Sequence, residues 1–275
     1  MTLNMFKRSK SSVKILAIAA GKGGVGKSTL TANLALAMKQ QGLKVGVLDA
    51  DLYGPSLRRM LPEDRLPKQE GEWIIPAWSH GIRLLSISYF RPENQATAVR
   101  APIANGMIKK FLQQVSWGDL DYLLIDFPPG TGDIQITLSQ QANLTGALMI
   151  TTPQEIALMD VRKALNLFEQ LHVPVLGIVE NMSFYALDDT NREYPFGKGG
   201  GERLAKEFAV PLLTQIPIHA SISSAGDNGS SLFEEGPKQL QDIFLNLSAS
   251  IETKCSLLQQ TDRLGSFELL WKEIS

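Results

Sequence analysis

The stretch Gly21-Lys-Gly-Gly-Val-Gly-Lys-Ser28 carries most of the information on the fold of this 275-residue chain. It matches the spacing G-x-x-x-x-G-K-[ST], it follows the apolar run of residues 15–20, and it opens a segment with helical periodicity. Glycines allow the backbone to curl its N–H groups around phosphate oxygens, and the N-terminus of the following helix adds positive potential. Motif and context together favour a phosphate-binding loop over a glycine-rich turn that only joins two elements.

The residue types within this loop predict separate tasks in binding a nucleoside triphosphate. We expect the Lys27 ammonium to reach the β- and γ-phosphates and the Ser28 hydroxyl to bind Mg²⁺. Further contacts to the phosphates are expected from backbone N–H groups. The predicted nucleotide-binding residues of the loop are Gly21, Gly23, Gly24, Val25, Gly26, Lys27, Ser28 and Thr29.

Outside the loop, short apolar runs alternate with segments of helical periodicity. The predicted strands are residues 15–20, 44–49, 83–87, 122–126, 147–151, 175–179 and 212–216. The predicted helices are residues 27–41, 103–115, 134–142, 159–171 and 201–208. Because most strand runs are apolar nearly throughout, we expect a mostly parallel central sheet with helices on both faces. Strand–helix–strand repetition predicts an α/β domain with right-handed crossovers, the architecture of a P-loop NTPase.

Two regions interrupt this alternation, and the two ends of the chain have their own composition. Residues 62–80 are predicted to form an irregular excursion, and the polar residues 183–200 a mobile loop. We assign residues 1–13 to a basic arm, residues 14–245 to the P-loop domain and residues 246–275 to a helical tail. The apolar stripe of the tail is expected to pack on the domain or on a partner rather than on a membrane.

Composition narrows the classes of partner and compartment. The chain has 27 Lys and Arg against 28 Asp and Glu, so no net field favours a nucleic-acid partner. Its apolar runs are too short to span a membrane, and the first of them leads straight into the glycine loop without a cleavage region. The single cysteine, Cys255, has no partner for an intrachain disulfide. We therefore expect a cytoplasmic protein in a reducing compartment.

Three aspartates at the ends of predicted strands complete the predicted site. Asp49 and Asp51 follow the second strand, at the edge where open α/β sheets bind ligands. Asp126 ends an apolar strand in the Walker B pattern and is expected to hold Mg²⁺ through water. The next residues, Phe127-Pro-Pro-Gly-Thr-Gly-Asp133, are predicted to form a switch that senses the γ-phosphate. A turn or helix-capping role is the alternative for any one of these acids.

Lys22, directly after the first glycine, gives the loop the pattern G-K-G-G-x-G-K-[ST]. With this second lysine the chain resembles the SIMIBI-class ATPases, which include MinD and ParA, the nitrogenase iron protein and Mrp. The resemblance implies a homodimer that encloses the nucleotide, with Lys22 and Lys27 as catalytic lysines and Lys22 acting on the phosphates of the other subunit. It further implies that Asp51 orients the attacking water and that Asp49 lies near the hydrated Mg²⁺.

Longer motifs narrow the resemblance to one family. The runs are Asp49-Ala-Asp-Leu-Tyr-Gly-Pro-Ser56, Trp117-Gly-Asp-Leu-Asp-Tyr-Leu-Leu-Ile-Asp-Phe-Pro-Pro-Gly-Thr-Gly-Asp133, Thr151-Thr-Pro-Gln154 and Gly177-Ile-Val-Glu-Asn-Met-Ser183. From about residue 14 to about residue 237, the chain looks like the Mrp/ApbC family of iron–sulfur cluster carrier ATPases. The resemblance implies ATP as the substrate, slow hydrolysis, Asn181 as the residue that reads adenine, and Pro217 as part of the base pocket.

The chain departs from this family where the cluster ligands are expected. Members usually carry C-x-x-C shortly after N-M-S, whereas Asn181-Met-Ser183 is followed here by Phe-Tyr-Ala-Leu-Asp-Asp-Thr-Asn-Arg. A homodimer could offer only two Cys255 thiolates, and clusters normally need about four. An iron–sulfur cluster would therefore have unidentified ligands, as in the chloroplast branch, which similarly lacks the pair.

Three hypotheses stay open at this point. The first is an Mrp-type ATPase that serves iron–sulfur client or scaffold proteins. The second is a MinD/ParA-like positioning switch that ATP gates and that holds no cluster. The third is a scaffold that regulates a partner through its nucleotide state, which the sequence alone cannot separate from the first.

Overall fold

The computed structural model describes residues 13–51, 54–90, 101–188 and 191–262. Most of the predicted basic arm, and the predicted tail beyond Asp262, lie outside these residues. The strands are β1 (Lys14–Ala20), β2 (Val45–Asp49), β3 (Lys68–Glu70), β4 (Trp73–Ile75), β5 (Ala77–Ser79), β6 (Ile82–Ser86), β7 (Tyr122–Asp126), β8 (Gly146–Thr151), β9 (Val175–Glu180), β10 (Tyr185–Ala186), β11 (Arg192–Glu193) and β12 (Leu212–Gln215). The helices are α1 (Lys27–Gln40), α2 (Leu57–Met60), α3 (Ala101–Gln113), α4 (Asp133–Gln141), α5 (Glu155–Gln170), α6 (Gly200–Glu207), α7 (Ala220–Asn228), α8 (Leu232–Glu235) and α9 (Lys238–Asp262).

The main sheet has eight strands in the order β12-β9-β8-β1-β7-β2-β6-β5. Its neighbouring pairs are parallel except for β5 and β6, which pair antiparallel at one edge. β1 lies between β7 and β8, so the loop that follows β1 emerges beside the loops that follow its two neighbours. The predicted α/β fold with a mostly parallel sheet is confirmed.

Two apolar cores lie on the two faces of the sheet, because alternate residues of a strand point to opposite faces. Leu16 and Ile18 of β1 belong to the core that α1 and α9 cover. Ala17 and Ala19 of the same strand belong to the core that α3, α4, α5 and α6 cover. Both faces of the central strands are therefore buried, which explains their nearly continuous apolar sequences.

The structure corrects the prediction for the two interrupting regions. Residues 62–80 are not irregular, because they contain β3, β4 and β5. These strands have three residues each, and β3 is fully exposed, so they lack the apolar run that reveals a buried strand. The predicted loop at residues 183–200 contains the short hairpin of β10 and β11. Helices α7 and α8, between residues 220 and 235, were not predicted.

Helix α9 joins the predicted tail to the body of the fold. It runs from Lys238 to Asp262 without a break at residue 246. Leu247, Ile251 and Cys255 are buried on its inner face, which packs on α1. The described part of the predicted tail thus continues a helix of the core. No helix within the described ranges has both the length and the apolar character needed to cross a lipid bilayer.

Candidate functional site

The glycine loop between β1 and α1 depends on backbone conformations and close approaches that side chains would prevent. Gly24 and Gly26 have φ of 80° and 89°, in the left-handed region, and Gly26 caps the N-terminus of α1. A Cβ on Gly21 would lie 2.2 Å from the carbonyl carbon of Asp160 in α5. The loop is therefore held against α5 and leads directly into a helix N-terminus, where backbone N–H groups and the helix dipole favour an anion.

Lys27 and Ser28, at the N-terminus of α1, meet the carboxylate of Asp126 at the end of β7. Lys27 Nζ lies 2.9 Å from Asp126 Oδ1 and 3.7 Å from Asp51 Oδ2. Ser28 Oγ donates a hydrogen bond of 2.6 Å to Asp126 Oδ2, and Thr31 Oγ1 donates one of 2.9 Å to Oδ1. The structure thus brings together the predicted phosphate-binding lysine, the predicted Mg²⁺-binding hydroxyl and two of the three predicted carboxylates, Asp51 and Asp126.

The Lys27 ammonium is buried, yet it makes no hydrogen bond of suitable geometry with the described part of the chain. Its contact with Asp126 is an ion pair across 2.9 Å. Burying a charged donor is costly unless its N–H groups are used. An ammonium with uncommitted donors at a helix N-terminus is therefore suited to an anionic ligand such as a phosphate.

Asp49, at the carboxyl end of β2, is fully buried beside this group. Ser86 donates a hydrogen bond of 2.9 Å to Asp49 Oδ2, and the backbone N–H of Asp51 donates one of 3.2 Å to Oδ1. Burial, together with the charge of Asp126, raises the pKa of Asp49 to about 7, and the hydrogen bond from Ser86 opposes this shift. A cation bound here would favour the carboxylate and lower that pKa.

The donor atoms of this site fit Mg²⁺ bound jointly with phosphate. Ser28 Oγ and the carboxylates of Asp49 and Asp126 are hard oxygen donors, which Mg²⁺ prefers. Among the residues that the structure describes, no three or more His, Cys, Asp or Glu side chains form a metal-binding group of their own. Mg²⁺ usually takes one or two carboxylates together with waters and substrate phosphates. Two carboxylates and a hydroxyl therefore suffice for a site of this kind.

A cavity of about 400 Å³ opens beside the loop, where β9 and β12 end. Asn181 lines this cavity, and its Nδ2 group donates a hydrogen bond of 2.8 Å to the carbonyl oxygen of Val25. Since that carbonyl can only accept, the bond fixes which side-chain atom of Asn181 is nitrogen. Asn181 Oδ1 has no hydrogen-bond donor within the described ranges, so it is available to a ligand in the cavity. The predicted residues Gly26, Thr29 and Pro217 line the same cavity.

The structure adds residues that the sequence analysis missed. Thr31 follows Lys27 by one helical turn, and this spacing places both on one helix face. The sequence could therefore have indicated that Thr31 lies at the site. Ser86 pairs with Asp49 in the register of β6 and β2, a contact that no local pattern encodes. Met60 and Ile222 line the cavity from α2 and α7. The sequence analysis did not predict either of these helices.

Lys22 stays outside this network within one chain. It is half-buried and forms no hydrogen bond or ion pair with the residues that the structure describes. Gly23 and Gly24, which follow it, are exposed. In the predicted switch, the backbone N–H of Gly130 donates to the carbonyl oxygen of Ala20 at 3.2 Å. The switch therefore begins beside the end of β1.

Cys255 lies at the opposite end of the strands from the phosphate loop. It is fully buried in α9, and its polar neighbours are Tyr122 at the start of β7 and Lys14 at the start of β1. Burial raises the pKa of the thiol to about 11. The five residues of β7 span about 16 Å at ~3.3 Å per residue. The structure therefore does not present Cys255 as a cluster ligand beside the nucleotide site.

Comparison with known proteins gives consistent relatives. A family model described as ParA, NUBPL iron-transfer P-loop NTPase, matches residues 11–252. The iron-sulfur cluster carrier protein of Haemophilus influenzae is 43% identical over 269 residues, which cover 96% of this chain and 72% of that protein. The protein of the same name from Escherichia coli K12 is 48% identical over 219 residues, 78% of this chain and 59% of that protein.

Solved structures show the same architecture. A nucleotide-binding protein from Archaeoglobus fulgidus in complex with ADP has a TM-score of 0.69 and 39% identity, over 82% of this chain and 92% of that one. The cell-division ATPase MinD of Pyrococcus furiosus has a TM-score of 0.63 and 24% identity, over 87% and 98%, and this likeness bears on the fold alone. From the family model and the long matches to carrier proteins, we conclude that this chain belongs to the NUBPL-type family of iron-transfer P-loop NTPases.

Proposed function

We propose that this chain is a Mg²⁺-dependent ATPase that works as a nucleotide-enclosing homodimer in iron–sulfur cluster assembly or transfer. The observation that carries the proposal is the convergence of Lys27, Ser28 and Asp126 at the N-terminus of α1, with Asp51 3.7 Å from the same ammonium. This arrangement offers a cation for phosphate oxygens, hard oxygen ligands for Mg²⁺ and a carboxylate to orient water.

The residues of the site have separate tasks in the proposed reaction. Lys27 and the backbone N–H groups of the loop would hold the phosphates, and Ser28 and Asp126 would hold Mg²⁺. When bound, Mg²⁺ neutralises charge on the phosphates. Asp51 orients the water that attacks the γ-phosphate, and Lys22 of the second subunit stabilises the charge on the transferred group. The uncommitted side chain of Lys22 supports this role in trans.

The orientation of the Asn181 side chain supports adenine as the base of the bound nucleotide. Its amide nitrogen is engaged by Val25, so its free carbonyl oxygen accepts a hydrogen bond from a ligand in the cavity. The 6-amino group of adenine is such a donor, whereas guanine has a carbonyl at that position and would leave two acceptors facing each other. The buried amide therefore favours ATP over GTP.

The role in iron–sulfur cluster assembly rests on the relatives from Haemophilus influenzae and Escherichia coli, which are iron-sulfur cluster carrier proteins. The single cysteine is buried and distant from the nucleotide site. We therefore place the thiolate ligands on client or scaffold proteins, and we assign to this chain the ATP-driven step that brings them together or releases them.

Phosphate release by the purified chain tests the proposed ATPase. We expect slow hydrolysis of ATP with Mg²⁺, loss of activity when EDTA removes the metal, and no activity in Lys27→Ala or Asp126→Asn. Lys44→Ala is the matched control, because Lys44 is an exposed lysine directly before β2, at the end of the strand away from the site. Activity that persists in Lys27→Ala at the wild-type rate would contradict the proposal.

The second candidate is a MinD/ParA-like switch without a cluster. The absence of cysteine from residues 183–200 favours it, because these residues follow N-M-S where the family usually has its cysteine pair. Sedimentation with liposomes and with DNA distinguishes the two candidates. Pelleting that requires ATP would favour the switch, and its absence would favour the client-directed ATPase.

A further inference from the structure

Glu180, the last residue of β9, is a buried carboxylate with no role in the mechanism described above. Glu180 is fully buried, and its two carboxylate oxygens accept three hydrogen bonds. Ser183 Oγ and Gln215 Nε2 donate to Oε1 at 2.6 and 2.8 Å, and the backbone N–H of Gly201 donates to Oε2 at 2.5 Å. No ion pair holds Glu180 within the described ranges, so its partners are neutral donors and the N-terminus of α6.

These three bonds connect the walls of the cavity beside the phosphate loop. Ser183 lies two residues after Asn181, and its backbone N–H donates to Ile216, which precedes Pro217. Gln215 ends β12, directly before that segment. Gly201 is the second residue of α6, which follows the segment that contributes Phe196 to the cavity. One carboxylate therefore joins the segments that carry Asn181, Pro217 and Phe196.

The same residue is next to Asn181, whose side chain must keep one orientation to select a base. The backbone N–H of Asn181 donates to Thr151, while its Nδ2 bonds to Val25 at 2.8 Å. Only this orientation turns Oδ1 away from the protein. A carboxylate suits the neighbouring position because it accepts without donating, and three donors point at it.

We propose that Glu180 is a positioning residue for base selection, which rests on the proposed binding of adenine nucleotides. It fixes the 181–183 turn against β12 and α6, and through that turn it fixes the carbonyl oxygen of Asn181 toward the exocyclic amino group of adenine. Loss of the three hydrogen bonds to Glu180 lets the Asn181 side chain reorient. The affinity for adenine nucleotides then falls more than the affinity for guanine nucleotides. The substrate preference for ATP is thus set by a residue that does not contact the nucleotide.

The sharpest test compares two serines that donate equivalent bonds. Ser183 and Ser248 are both buried, and each Oγ donates a hydrogen bond of 2.6 Å, the first to Glu180 and the second to Gln41 at the C-terminal end of α1. Affinities for ADP and GDP are measured by titration calorimetry with Mg²⁺ for wild type, Ser183→Ala and Ser248→Ala. We expect Ser183→Ala to reduce the preference for ADP over GDP by about tenfold, and Ser248→Ala to leave it unchanged.

Variants of Glu180 itself give an independent measurement. In Glu180→Gln the amide oxygen can still accept from Gly201, and its NH₂ can donate to the hydroxyl of Ser183. Once the side-chain amide of Gln215 rotates by 180°, the same NH₂ can also donate to Gln215 Oε1, so we expect most of the preference to be kept. Glu180→Ala leaves three buried donors without an acceptor and should lose the preference, with a lower thermal midpoint. If it does not fold, Ser183→Ala decides alone.

The outcomes separate this inference from the function on which it rests. A wild-type chain that binds no adenine nucleotide would contradict the proposed function. A wild-type chain that prefers ADP, combined with a Ser183→Ala variant of unchanged preference, would overturn the role of Glu180 only. An equal loss of preference in Ser248→Ala would also overturn it, because general destabilisation would then explain the effect.

Discussion

Among the single residues of the site, Lys22 has the clearest expected effect on hydrolysis alone. Its side chain makes no polar contact within the described part of its own chain. We expect Lys22→Ala to bind ADP with wild-type affinity and to hydrolyse ATP at least about a hundredfold more slowly. Removal of a donor that stabilises charge in a transition state typically has an effect of this size. Phosphate release and ADP titration measure the two quantities on the same samples. A variant with undiminished turnover would contradict action in trans.

Asp51 is expected to separate binding from hydrolysis in the same way, for a different reason. Its carboxylate lies 3.7 Å from the Lys27 ammonium. In the proposed mechanism this carboxylate orients water and does not hold the phosphates. We expect Asp51→Ala to bind ATP and to hydrolyse it at least a hundredfold more slowly. Filter binding of labelled ATP beside phosphate release measures both. Wild-type turnover would remove Asp51 as the residue that orients water.

Cys255 is expected to have no part in cluster binding, because burial keeps its thiol from iron and raises its pKa to about 11. Anaerobic reconstitution with iron and sulfide should give the same iron and sulfide content per chain for wild type and Cys255→Ala. The native thiol should react negligibly with dithionitrobenzoate at pH 8, and faster as the pH rises toward the thiol pKa. A stoichiometric cluster that is lost in Cys255→Ala would contradict this account.

At the scale of the elements, the close contact between the glycine loop and α5 leads to a prediction about the stability of the fold. A Cβ on Gly21 would lie 2.2 Å from backbone atoms of Asp160, whereas a Cβ on Gly23 meets nothing within 4 Å. We expect Gly21→Ala to displace α5 or the loop, to cost about 2–3 kcal/mol of unfolding free energy and to weaken ADP binding. Gly23→Ala is the matched control and should keep the wild-type stability. Chemical denaturation with urea measures both, and equal stabilities would refute the close approach.

The elements also show which sequence patterns were informative. β7 has the predicted bounds, because five consecutive buried residues leave an apolar run that ends at the acid. α5 begins at Glu155 rather than at residue 159, since its first turn is partly exposed and breaks the apolar stripe. The short strands β3, β4 and β5 escaped prediction because strands of three residues leave no periodicity to detect.

For the whole molecule, the proposed homodimer gives a prediction about mass. With ATP and Mg²⁺, Asp51→Ala should sediment at twice the 30.2 kDa of one chain, because unhydrolysed nucleotide keeps the two subunits joined. Removal of Mg²⁺ with EDTA should return it to 30.2 kDa. Sedimentation velocity in ATP, in ADP and without nucleotide measures the change. A single-chain mass at saturating ATP would contradict the proposed dimer.

Helix α5, which lies beside the glycine loop, carries exposed apolar side chains. Ile156 and Met159 of α5 are exposed, and α5 packs against the start of the glycine loop at Gly21. Four of the five charged residues of this helix form ion pairs with each other or with α6, as in the pair of Arg162 with Glu207. In the proposed homodimer, we expect a second subunit to cover this apolar pair.

The sequence by itself determined the phosphate loop, its flanking strand and helix, and the acids at the ends of β2 and β7. These features depend on residues close together in the chain, and parallel strands bring their carboxyl ends to one edge whatever the details of packing. The binding class of the protein could therefore be predicted from short motifs.

Only the tertiary structure decided how the site is held and where the cysteine lies. Ser86 reaches Asp49 across 37 residues, and Asn181 reaches Val25 across 156. The three donors to Glu180 come from a turn, a helix and a neighbouring strand. Cys255 is buried against strands that lie more than a hundred residues earlier in the sequence. Such contacts arise when elements pack face to face, and no local spacing or composition encodes which side chains will then meet.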